Sequence, residues 1–146
     1  MQQEEFGIQN IYVKDISFET PKSPQIFMEK WEPKMEYEIS TSINSLEEKV
    51  FEVVLNITVT VKAEEKTAFL VEIHQAGIFV VNGFAEDQLK YMLNTYCPTI
   101  LYPYAREMIS NLVTRGGFQP LLLAPINFEA LYAEQQQQQT QPTTIH

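Results

Sequence analysis

His74 and Glu72 are the pair of side chains best placed for chemistry in this chain. Alternate residues of a strand point the same way, so imidazole and carboxylate could meet as a general base and its orienter, or as two metal ligands. A zinc site needs three or four ligands, however, and the other histidine is the terminal His146. Cys97, the single cysteine, precedes a proline with no histidine near it in sequence, and reads as a buried structural thiol rather than a nucleophile. Glycine-rich phosphate loops, a GxSxG elbow and carboxylates clustered at metal spacing do not occur. Neither a catalytic residue nor a metal or cofactor site is expected.

Two other features stand out. Large apolar residues crowd segments with no strand character: Phe27, Met28, Trp31, Phe118, Leu121, Leu123, Phe128 and Tyr132. They either cover a sheet or line a groove for apolar peptide, where methionine adds adaptability. The second feature is an acidic sheet face with Asp15 and Glu19 on one strand and Leu70 and Glu72 on another; strict alternation adds Ile11 and Val13 to it. Nineteen acidic against ten basic residues give a net charge of -9, which disfavours nucleic acid and favours basic partners. A secretory leader pattern and an apolar run of membrane-spanning length are both lacking, so a reducing cytoplasm is the expected location.

These residues must be positioned by a sheet and a few helices. In the first strand, alternation groups Ile8, Tyr12, Ile16 and Phe18 on one face, against Gln9, Ile11, Val13, Asp15, Ser17 and Glu19. A second runs through Met35, Tyr37, Ile39, Thr41 and Ile43, and a third from Phe51 to Val61. The fourth, Thr67 to Val81, carries Gly77 as a bulge or bend. Hairpin-length links predict an antiparallel meander. A short helix from Glu86 to Tyr96 ends at Cys97-Pro98; an amphipathic one starts at Pro103 and stops at Gly116-Gly117, with Ala105, Met108, Ile109, Leu112 and Val113 on one stripe. Asn127 caps a terminal helix. Length and 45% hydrophobic content predict one domain over residues 1–134 and a disordered glutamine-rich tail over 135–146.

Five stretches, IYVKDISFETP (Ile11 to Pro21), VFEVVLNITVTV (Val50 to Val61), TAFLVEIHQAGIF (Thr67 to Phe79), YCPTILYPYARE (Tyr96 to Glu107) and LAPINFEALY (Leu123 to Tyr132), follow one another in an order that resembles the SecB family of export chaperones. The resemblance implies an α+β fold, a four-stranded antiparallel sheet with helices packed on one face, assembled as a homotetramer that is a dimer of dimers. It implies an ATP-independent holdase that binds unfolded preproteins in the cytosol and hands them to the SecA ATPase. By the same resemblance Asp15, Glu19, Leu70 and Glu72 form the SecA-binding patch, and Trp31, Met35, Tyr37, Ile39, Phe69, Leu121, Leu123 and Phe128 line the peptide groove. Oligomer contacts fall on the helices between Leu89 and Val113, with Val71 and Gln75. The alternatives are an acidic adaptor for one folded partner and, more remotely, an enzyme using His74 and Glu72.

Overall fold

Residues 3–140 are described by a computed structural model. The longest β-branched and aromatic runs form the middle of its sheet: β3 (Val50–Ala63) and β4 (Lys66–Asn82) pair antiparallel and are covered on one face. β2 (Pro33–Glu47) pairs with β3, and β1 (Glu5–Glu19) pairs with β4, giving the order β1-β4-β3-β2. Only the last three strands are a meander. The link from β1 to β2 is too long for a hairpin, so it passes the ends of β4 and β3 to reach the far edge. Along that path a single 3-10 turn, Gln25–Met28, drops Ile26 into the core and leaves Met28 in solvent.

β1 departs from strict alternation twice, with bulges at Gln9 and Lys14. Each extra residue switches the parity of the residues after it. The inner face therefore receives Phe6, Ile8, Ile11, Val13, Ile16 and Phe18, partners of Val81, Phe79, Gly77, Gln75, Ile73 and Val71. Tyr12, Asp15, Ser17 and Glu19 stand on the outer face. The grouping of Ile11 and Val13 with Asp15 is thus corrected, as is that of Tyr12 with Ile16. Gly77 is no bulge; it stays in register with Val53 and Ile11, and a Cβ there would lie 2.8 Å from the Phe79 ring and 3.1 Å from Leu101.

Helices cover the inner face alone. α1 (Glu86–Asn94) and α2 (Tyr96–Arg115) meet at Thr95, a buried residue whose hydroxyl donates to the Tyr91 carbonyl at 2.6 Å. The break precedes Cys97-Pro98 because Pro98 falls in the first turn of α2, where its missing N–H would have had no acceptor. Pro103 accordingly lies inside α2 and not at its start. The buried stripe is Leu101, Ala105, Ile109 and Val113, which packs on β3 and β4. Gly117, at φ 93°, ends the helix in a Schellman motif: its N–H donates to the Thr114 carbonyl, and the Phe118 N–H reaches back to Val113 at 3.2 Å.

α3 (Phe128–Thr140) begins at Asn127, whose Oδ1 accepts the Ala130 N–H at 3.0 Å. It docks through Phe128, Leu131 and Tyr132, then continues through the glutamines to Thr140. Residues 135–140 are therefore helical where disorder was expected, glutamine being a fair helix former once a capped, docked turn precedes it. The rest of that expected tail, 141–146, lies outside the described residues.

Candidate functional site

Two surfaces carry the candidate residues. The first is the outer face, which no helix among the described residues covers. Cross-strand partners share a face, so the register fixes the neighbours: Asp15 is opposite His74, Ser17 opposite Glu72 and Glu19 opposite Leu70. The four patch residues are thus gathered on the outer face, the three carboxylates exposed and Leu70 half-buried. His74 Nε2 lies 3.1 Å from Glu72 Oε1, and Asp15 Oδ1 accepts the Ile16 backbone N–H at 3.0 Å. Among the described residues no three His, Cys, Asp or Glu side chains gather as metal ligands. Beside the patch the sheet is concave, a hollow of about 940 Å³ lined by Lys14, Asn44, Val54, Asn56, Glu72 and His74 among others.

Set into that face is a carboxylate that sequence reasoning missed. Glu52 is 7% exposed and accepts from Tyr12 of β1, from Asn44 of β2 at 3.1 Å and from Lys14 at 3.0 and 3.2 Å. Tyr12 reaches it across Ala76 of β4, whose small side chain leaves the path open. The Tyr12 hydroxyl, foremost, holds the Glu52 carboxyl below the ordinary glutamate range; desolvation opposes this, and Lys14 and Asn44 assist. Burial, then Glu52, pushes the Tyr12 hydroxyl up to about 12.

The second surface lies on the inner face, where α2 stops short of β2. The inner row of β2, Met35, Tyr37 and Ile39, is bordered chiefly by the irregular segment 118–127 and the start of α3, with Tyr102 of α2 and Asn94 of α1 at its edge, and Tyr37 remains 53% exposed. Three hollows follow that row. The largest, about 650 Å³, is walled by Phe27, Trp31, Met35, Phe69, Phe118 and Leu121. Met35 also lines the next, about 80 Å³, with Tyr37 and Leu123. Ile39 and Phe128 line the third, about 120 Å³. Phe118 ties the first together, its ring 4.8 Å from Phe69, 5.2 Å from Phe27 and 6.3 Å from Trp31. The Tyr102 hydroxyl donates to the Ala124 carbonyl at 2.6 Å and pins the irregular segment to α2.

All eight expected groove residues line one of these hollows, although Phe69, Leu123 and Phe128 are themselves buried and form floor rather than rim. Ile26, Pro33 and Val61 also contribute to the hollow of about 650 Å³ and were missed. Val61 was findable from the alternation of β3, which sets it on the inner face near the strand's end; Ile26 had no periodic signal. Val71 and Gln75, assigned to oligomer contacts, are 0% and 2% exposed within the single chain, because both face the helices. Cys97 is fully buried, and desolvation pushes its thiol up to about 12.

A family model described as preprotein translocase subunit SecB matches residues 1–139. The protein-export protein SecB of Methylococcus capsulatus is 58% identical over 145 residues, covering 97% of this chain and 94% of its own. That of Nitrosococcus oceani is 58% identical over 139 residues, covering 94% and 85%. That of Legionella pneumophila is 49% identical over 139 residues, covering 95% and 86%. Among solved structures, a Mycobacterium tuberculosis SecB-like chaperone in complex with a ChAD peptide from the HigA1 antitoxin superposes with a TM-score of 0.70. It covers 83% of this chain and 90% of that one; at 17% identity the likeness speaks to the fold.

Proposed function

The chain belongs to the SecB family and is a chaperone of protein export; from that premise we propose that it is an ATP-independent holdase for unfolded preproteins in the cytosol. The observation that carries this reading is the aromatic trough along β2, open to solvent at Met35, Tyr37 and Phe27. Covering such a surface with the apolar side chains of an unfolded client returns about 25 cal/mol per Å² removed from water, and a folded protein has few such chains to offer. Selection for lack of structure needs no sequence code. Methionine and rotatable aromatic rims suit clients of many sequences.

Holding the unfolded chain slows folding by mass action, and release then requires a competitor. We assign that role to the SecA ATPase, docking on Asp15, Glu19, Leu70 and Glu72, on the face opposite the groove. The homotetramer belongs to the same reading. β1 is an edge strand whose inner row exposes Ile8 and Val13, the latter lining a hollow of about 320 Å³ between β1 and α2, a surface suited to burial by another copy.

Trp31 is the only tryptophan and stands in the trough, so it reports on occupancy directly. Adding a reduced, unfolded polypeptide should shift its emission to shorter wavelength in a saturable way, while the same polypeptide in its native form leaves the spectrum alone. Equal response to both would favour an acidic adaptor for folded partners.

A further inference from the structure

The apolar pattern of β1 demands a bulge between Val13 and Ile16, since both face inward across an even number of intervening residues. Where the surplus residue goes is not dictated by that pattern. Displacing it by one position toward the carboxyl end would lift Asp15 out of line with His74. In the structure the surplus residue is Lys14, and its ammonium is held by both oxygens of Glu52, two strands away. Tyr12, two residues before it, reaches the same carboxylate by its hydroxyl, and its carbonyl accepts from the Gln75 side chain at 3.1 Å. At the second bulge, at Gln9, no such clamp is formed among the described residues.

We propose that Glu52 and Lys14 are positioning residues for the acidic docking patch: their ion pair pins the β1 bulge so that Asp15 and Glu19 stand in register beside His74 and Leu70. The proposal rests on the docking reading above for its functional consequence, though not for the clamp itself. Glu52 is set into the same face two cross-strand rows beyond Asp15, is 7% exposed, and needs no contact with the partner.

Glu52→Gln and, separately, Lys14→Met test it. Amide exchange at Asp15–Glu19 should quicken in both variants relative to β3, and purified SecA should bind about tenfold more weakly. Deleting Lys14 from the Glu52→Gln variant removes the surplus residue while keeping every face of β1. SecA binding should then return toward the wild-type value, a rescue that neither direct contact nor general destabilisation would give. Unchanged exchange at Asp15–Glu19, or a binding defect that survives the deletion, overturns the proposal. An Asp15→Lys variant that keeps full affinity would instead refute the docking reading, leaving the exchange data to decide the clamp alone.

Discussion

At the scale of single residues, Glu52 matters more than the pair best spaced for chemistry. His74 and Glu72 do meet, as alternation foretold, yet they stand part-exposed on a sheet, and among the described residues no third ligand gathers around them. Glu52 was invisible because two of its three donors, Tyr12 and Lys14, come from β1, which a simple meander places beyond β2 and the structure places beyond β4; only Asn44 lies on a strand that sequence order sets beside β3. Its depressed pKa has a sign. The folded state binds fewer protons there than the unfolded chain, so the stabilisation is complete above the unfolded value of about 4.3 and is lost as pH falls through the folded one. Glu52→Gln should cost about 1–3 kcal/mol at neutral pH, and its urea midpoint should fall less steeply than wild type below about pH 4.5. Cys97, buried and with its thiol near 12, should resist thiol reagents in the native protein and react within the unfolding transition when urea is raised.

At the scale of elements, most of the architecture was legible. The strand residues, the hairpin at Ala63–Lys66, the Asn127 cap and the Gly117 stop all stem from local chemistry, and the structure agrees. β1 was misread because strict alternation was imposed on it. Phe6, Ile8, Ile11, Val13, Ile16 and Phe18 recur at i, i+2, i+5, i+7, i+10 and i+12, a pattern that itself announces two bulges once the apolar residues are given priority. The α1–α2 joint was misplaced because a proline was taken as a break without asking whether its N–H was needed. Asn127→Ala should destabilise α3 by about 1 kcal/mol, read as faster amide exchange confined to that helix. Gly117→Ala forces a side chain into positive φ and brings its Cβ to 3.0 Å from Phe27. It should cost about 1–3 kcal/mol and weaken client binding by moving the groove wall.

At the scale of the molecule, the sheet has two unlike faces. One is a bare acidic sheet surface; the other bears helices and an aromatic trough, and β3 and β4 are the rigid layer between them. Apart from the family resemblance, the groove was legible only as an excess of apolar residues in irregular segments. Which of them form rim and which form floor depends on the path of segment 118–127, which no periodicity describes. Clients should contact the rim, so Trp31→Ala and Leu121→Asp should weaken holding more than Asp15→Lys does. The most direct test is the refolding of a slow-folding precursor diluted from denaturant with equimolar protein. Wild type should suppress spontaneous refolding, Asp15→Lys should do so equally, the paired Trp31→Ala and Leu121→Asp changes should abolish it, and native control proteins should not compete. Undiminished suppression by the paired groove variant, or competition by native controls, would contradict the holdase reading.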